Sequence, residues 1–192
     1  MKYLDFQEQL KILKHSDFDF IPNNFSFLRG KAGIYAISID KESIVDSLEK
    51  HIIINNHSII YIGMSINLSL RLKKELIPTE RSTGSFYRSL GSYLNFRIDK
   101  KKLSKFYRFS DIDHVKIINF AKENLKYKHF EIDDLPNEEN LKKKYIKKNY
   151  EEPLIKEFKP PFNYENNYSN KFKILEYQHK INREEHKYWK NK

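Results

Sequence analysis

The chain has 192 residues, with 36 lysines and arginines against 26 aspartates and glutamates, giving a formal net charge of +10 and a pI near 9.4. Its 14 phenylalanines and 13 tyrosines exclude wholesale disorder, and its lack of cysteine excludes a disulfide framework, a thiolate zinc site and a cysteine nucleophile while suiting a reducing cytoplasm. No apolar run approaches the roughly 18 residues of a membrane span, the first residues lack a signal-peptide layout, and 5 glycines argue against a dinucleotide fold.

Residues 1–29 read as a short helix and a loop, with Leu4, Leu10, Ile12 and Leu13 as a rough helical stripe and Pro22, Asn23 and Asn24 as punctuation. Gly33 to Ile39 is apolar and β-branched and reads as a strand. Residues 42–50 predict a brief helix through Ile44, Val45 and Leu48, and Asn55-Asn56 a turn. Ser58 to Gly63 reads as a second strand, central in its sheet because it is apolar on both faces. Asn67 suits the N-cap of a helix running to about Leu76, ahead of Pro78. Phe86, Leu90 and Leu94 mark another helix. Asp111 caps a third, with Val115, Ile118, Ala121 and Leu125 on its buried side. Residues 126–132 form a plausible third strand.

A long helical pattern covers 138–158, with Leu141, Tyr145, Leu154, Ile155 and Phe158 on its stripe. Pro153 interrupts it at a cost of roughly 3 kcal/mol unless it lies in a first turn, so a kink or a fresh helix near Glu151–Glu152 is expected. The fold class is therefore α/β, with a small three-stranded sheet, mixed or antiparallel, flanked by helices. The division is an N-terminal helix or arm at 1–29, a body at 30–165 with an insert at about 40–57, and a basic, aromatic tail at 166–192 that reads as a ligand-embracing extension or a packing arm.

Two tripeptides end the first two strands: Gly33-Ile34-Tyr35 and Tyr61-Ile62-Gly63. Arg71 lies ten residues after the second tyrosine, with Asn67-Leu68 just before it. Glu151 stands three residues before Leu154-Ile155, and Asn163 follows twelve residues after the glutamate. This ordered set resembles the GIY-YIG nuclease superfamily over residues 33–163, in its restriction-endonuclease-like, long-spacer branch.

The resemblance implies an endonuclease that hydrolyses DNA phosphodiesters with water and one divalent cation, Mg²⁺ with Mn²⁺ able to substitute, leaving 5′-phosphate and 3′-hydroxyl ends. Glu151 matches the sole acidic metal ligand, and a hard oxygen suits Mg²⁺. Arg71 matches the phosphate-contacting arginine, whose planar fork engages phosphate bidentately. Tyr35 and Tyr61 match the tyrosines that orient or deprotonate the water, and Asn163 matches a bracing residue. A tyrosine pKa near 10 is high for a base, so either hydroxyl would need to be lowered. Strand alternation places Tyr35 on a face with Gly33, and Tyr61 on a face with Gly63 and Ile59.

Some positions depart from the family pattern. Between Tyr35 and Tyr61 lie 25 residues, more than the short motif carries, which points to a restriction-type, mobile-element or defence nuclease. Met64 stands where many members have lysine or another polar residue. Glu75 stands where many have histidine or tyrosine one helical turn after the arginine; it reads as a base or a salt-bridge partner, with Tyr87 or Arg88 as substitutes for the missing residue. These departures favour the alternative of a nucleic-acid-binding protein with the fold but without cleavage.

Candidate DNA-binding residues are Lys73, Lys74, Arg88, Arg97, Lys101, Lys102 and Lys105. The run from Arg97 to Arg108 packs six cations into twelve residues, and Lys142, Lys143, Lys144, Lys147 and Lys148 precede Glu151. Both clusters serve equally well as solubilising faces. The seven histidines show no metal-ligand spacing. A restriction enzyme cutting both strands of a palindrome would act as a homodimer on DNA or bind twice.

Overall fold

Segments rich in β-branched and aromatic residues supply the long strands of the sheet, where such side chains pack best. The computed structural model describes residues 6–40, 57–79, 83–101, 106–163 and 173–191. Strands β1 (Asp19–Phe20), β2 (Gly33–Asp40), β3 (His57–Ser65) and β4 (Leu125–Glu131) form an antiparallel sheet in the order β1-β4-β2-β3. The helices are α1 (Phe6–His15), α2 (Leu68–Leu76), α3 (Ser85–Tyr93), α4 (Asp111–Asn124), α5 (Glu139–Ile146), α6 (Glu152–Phe158) and α7 (Lys173–Lys190). The insert helix expected at 42–50 lies outside the described residues.

The α/β class stands, and two details of the sheet differ from expectation. It has four strands, not three: β1 pairs through Asp19↔Tyr127 and Phe20↔Lys126, and two residues are too few to leave an alternation in the sequence. Strand β2 is central and β3 lies at the end of the order. Strand β3 is apolar on both faces because helices cover both faces, not because strands flank both edges. On one face Tyr35, Ile37, Ile60 and Tyr61 join Leu68, Leu72, Phe86, Leu90, Ile117 and Ala121 from α2, α3 and α4. On the other, Ile34, Ala36, Ile59 and Ile62 join Leu13 of α1 and Ile146, Leu154, Ile155 and Phe158 of α5 and α6.

Capping follows local chemistry. The Asn67 side chain accepts the Leu70 N–H at 3.1 Å and starts α2. At α4 the cap is Ser110, which accepts the Asp113 N–H at 3.2 Å; Asp111, the expected cap, lies one residue inside, where its charge favours the helix dipole. Ile117 and Ala121 form the buried side of α4, whereas Val115 is 55% exposed. Leu141 and Tyr145 of α5 are also exposed, so two of the five residues of the stripe expected over 138–158 face out. Between α5 and α6 the chain makes a π-helical turn, Lys147–Glu151, and Pro153 falls in the first turn of α6. A proline is tolerated in a first helical turn, where its missing N–H costs least.

In the C-terminal stretch, α7 docks on α3 and the loop after it. The Asn182 amide donates to Ser92 Oγ at 2.9 Å and to the Phe96 carbonyl at 3.1 Å, and Lys100 pairs with Glu185 at 3.2 Å. No helix among the described residues is long and apolar enough to cross a membrane.

Candidate active site

The two tripeptides are cross-strand neighbours. Antiparallel pairing of β2 and β3 sets Tyr35 opposite Gly63, Gly33 opposite Ser65 and Ile37 opposite Tyr61, so Tyr35, Gly63 and Tyr61 share one face. The register shifts between Ile37 and Ser38, and Ile60 is the extra residue. This bulge corrects the simple alternation: Ile60 and Tyr61 both join the Tyr35 face, and Ile59 passes to the opposite one. The glycines have steric tasks. A Cβ at Gly63 would overlap the Tyr35 hydroxyl and ring, and a Cβ at Gly33 would overlap the Phe130 carbonyl. The Tyr35 and Tyr61 ring centroids are 6.0 Å apart.

Arg71, on α2, ties this pair to the helices. Its Nε donates to the Tyr35 hydroxyl at 3.0 Å, and Nη2 donates to the Tyr61 hydroxyl at 3.4 Å and to Ser85 Oγ at 3.1 Å. Nη2 also pairs with Glu75 Oε1 at 2.8 Å. Among the described residues, no partner engages Nη1.

Glu75 is buried to 1% exposure yet well supplied with donors. Its Oε2 accepts the Phe86 N–H at 2.8 Å and the Tyr87 N–H at 3.3 Å, and its Oε1 accepts from Ser85 Oγ at 3.4 Å. These amides open α3, whose N-cap, Gly84, has no side chain to offer. Glu75 therefore caps α3 from α2, where a carboxylate is doubly favoured. A Cβ at Gly84 would overlap that carboxylate. Of the two readings open for Glu75, the geometry supports the salt-bridge partner. The proposed substitutes are engaged elsewhere: the Tyr87 hydroxyl is 2.6 Å from His114 Nδ1, and Arg88 donates to the Thr83 carbonyl at 3.0 Å with its guanidinium 4.5 Å from the Phe106 ring centroid.

Glu151 ends the π-helical turn, a kind of irregularity found often at functional sites. Burial pushes its carboxyl up to about 7, against the lowering influence of Lys147, Arg71 and a hydrogen bond from the Met64 backbone. Met64 thus serves through its N–H, which any residue but proline supplies. Asn163 closes the end of the site: its Oδ1 accepts the Ile62 N–H at 2.8 Å and its Nδ2 donates to the Ile62 carbonyl at 2.6 Å. The Phe162 N–H adds a bond to the Ile60 carbonyl at 3.0 Å, so this loop takes the place of a fifth strand beside β3.

Burial also raises both tyrosines, Tyr35 well above its ordinary value, with Glu75 adding to the shift and Arg71 opposing it. Burial works against the Arg71 charge too, but the tyrosine oxygens and Glu75 outweigh it and hold the guanidinium cationic. Among the described residues no group of three or more His, Asp or Glu side chains could cage an ion. A cation here would rest on one carboxylate and its own water shell, which fits Glu151 and Mg²⁺ chemistry.

The structure thus brings Tyr35, Tyr61 and Arg71 into direct contact and couples Glu151 electrostatically to Arg71 and Tyr61. Of the basic candidates, Lys73, Arg97 and Lys101 are exposed, Lys74 is half-buried, and Arg88 is held as described above. Lys102 and Lys105 lie outside the described residues. Sequence reasoning missed Ser85, which touches Arg71, Tyr61 and Glu75. Its only signal is adjacency to Gly84 at a helix start.

No curated protein and no solved structure matches the chain significantly. The family model of the GIY-YIG catalytic domain matches residues 33–184, from the first residue of β2 into α7. A match over most of the chain, beginning at the glycine that opens the site, means that this protein belongs to the GIY-YIG catalytic domain family.

Proposed function

We propose that the protein is a DNA endonuclease that hydrolyses phosphodiesters with one divalent cation, Mg²⁺ or in its place Mn²⁺, in a restriction-type, defence or mobile-element role. The observation that carries this reading is the single guanidinium, Arg71, joining both tyrosines with Glu151 close enough to shift in its field. Glu151 would hold the cation, since a carboxylate drawn out of water with one backbone donor gains most from a positive ion. When bound, the cation supplies Lewis-acid stabilisation of the leaving oxygen and acidifies a water.

The residues of the chain do the rest. Nη1 of Arg71, with its other nitrogens occupied, is the group left for a phosphate oxygen, so its contact is through one nitrogen rather than a two-pronged fork. Two phenolic hydroxyls lie beside that charge, and at least one of them orients a water. Asn163 keeps the intervening peptide rigid. Lys73, Arg97 and Lys101 supply exposed charge for the flanking backbone, in keeping with the net +10. Cutting both strands of a duplex calls for two copies or two binding events. The departures that pointed to binding without cleavage both have tasks here: Met64 holds Glu151 through its backbone, and Glu75 holds Arg71.

The test is incubation of supercoiled plasmid with the purified protein and Mg²⁺ or Mn²⁺, beside Glu151→Gln and Arg71→Ala. The wild type nicks or linearises the plasmid and leaves 5′-phosphates; Glu151→Gln binds DNA without cutting. Binding without nicking in either metal overturns the enzyme reading, and a fully active Glu151→Gln overturns the ligand assignment.

A further inference from the structure

The hydrogen-bond network makes the two tyrosines unequal, through a residue outside the family's named set. Glu75, paired with Arg71 and two helix amides, only accepts. The Ser85 hydroxyl, 3.4 Å from Glu75 Oε1, sends its one proton there in preference to Tyr61, because a charged carboxylate is a stronger acceptor than a neutral phenol. Its lone pairs then receive Arg71 Nη2 at 3.1 Å and the Tyr61 hydroxyl at 3.3 Å, so Tyr61 is the donor of that last bond. The Tyr61 proton points inward, and its oxygen keeps acceptor capacity for another partner. The tyrosines also differ in access. Tyr35 is 0% exposed, with its ring against Gly63 and its oxygen accepting Arg71 Nε at 3.0 Å, whereas Tyr61 retains 8% and accepts the longer bond of 3.4 Å from Nη2.

We propose that Ser85 is a positioning residue that turns the Tyr61 proton inward, making Tyr61 the tyrosine that accepts a hydrogen bond from the attacking water and leaving Tyr35 to prop Arg71. The water-facing part rests on the nuclease reading above; the direction of the proton does not. Ser85 and Glu75 act through Tyr61 and need not touch the substrate.

Two measurements on the full chain decide it. NMR with ring-labelled tyrosine, assigned with Tyr61→Phe and Tyr35→Phe, follows each hydroxyl. Ser85→Ala moves the Tyr61 resonance and speeds exchange of its hydroxyl proton, while Tyr35 stays in place and Ser85→Thr restores the wild-type signal. A Tyr61 signal indifferent to Ser85→Ala, or a response at Tyr35 instead, overturns the assignment. In plasmid nicking, Ser85→Ala lowers kcat about tenfold, the effect of one lost orienting hydrogen bond, with KM for DNA unchanged and Ser85→Thr near wild type. Loss through KM, or equal loss in Ser85→Thr, overturns it. If the wild type never nicks, the nuclease reading and the water-facing role fall together, and the NMR result still decides the proton's direction.

Discussion

The side-chain amide of Asn163 pairs with the peptide of Ile62 as a neighbouring strand would, accepting its N–H at 2.8 Å and donating to its carbonyl at 2.6 Å. That peptide lies between Tyr61 and Gly63. A residue 101 positions away thus fixes the backbone from which Tyr61 projects.

Asn163→Ala leaves both groups of Ile62 without a protein partner. The expected cost is about 2 kcal/mol, the range for part-buried groups stripped of their bonds. Urea denaturation measures it. Asn163→Asp keeps the acceptor but sets an oxygen against the Ile62 carbonyl, so it recovers less than half of the loss.

Gly63→Ala places a methyl group where the Tyr35 ring and hydroxyl lie. Overpacking of this kind costs about 1–3 kcal/mol. Tyr35→Phe does not relieve it, because ring carbons clash as well as the oxygen. Comparing the double mutant with the two single mutants in denaturation checks this.

Glu75→Ala strips Arg71 of its ion pair and α3 of its cap together. Breaking a buried pair from one side costs about 3–5 kcal/mol, and the low end applies because 34% of the Arg71 side chain is exposed. Gly84→Asp in the Glu75→Ala background recovers part of the cap, since the atoms its Cβ would otherwise meet are those of the removed carboxylate, whereas Gly84→Asp alone collides with Glu75. Thermal unfolding of the variants gives the ranking.

Alkali should unfold the protein through its buried phenols. Burial raises Tyr35, Tyr61 and Tyr87, and pushes Tyr107 and Tyr127 up to about 12. Unfolded tyrosine ionises near pH 10. The folded state therefore favours the protonated form: the contribution is complete below about pH 10 and is lost as pH rises toward 12. Urea midpoints should be flat from pH 8 to 9.5 and fall above that. Phenolate absorbance should rise together with unfolding rather than before it.

Much of this was legible in the sequence because it rests on local rules. The three long strands, the Asn67 cap and the break near Pro153, expected as a kink or a fresh helix, follow from apolar and alternating runs, capping and the missing proline donor. The set Tyr35, Tyr61, Arg71, Glu151 and Asn163 was readable as an ordered pattern. What escaped depends on distant contact. Strand β1 is two residues long and exists only against Tyr127 and Lys126. The place of β3 at the end of the sheet reflects strand order, which hydropathy does not encode. Glu75 looked like a misfit in its own helix because its partners, the amides of Phe86 and Tyr87, belong to the next one. Ser85 carried only its place beside Gly84 at a helix start.

The π-helical turn makes the path from Ile146 to Ile155 a fixed-length part. An α-helix advances roughly 100° per residue, so nine residues of straight helix would put these two side chains on opposite sides of the axis. Both are buried against the same sheet face, because the wider turn at Lys147–Glu151 slows the rotation between them. Deleting one residue from 147–150 would leave the composition of the stretch nearly intact, yet it would rotate either the apolar stripe of α6 or the Glu151 carboxylate out of place. The segment tolerates substitution on its lysine-rich outer side and is intolerant of any change in length.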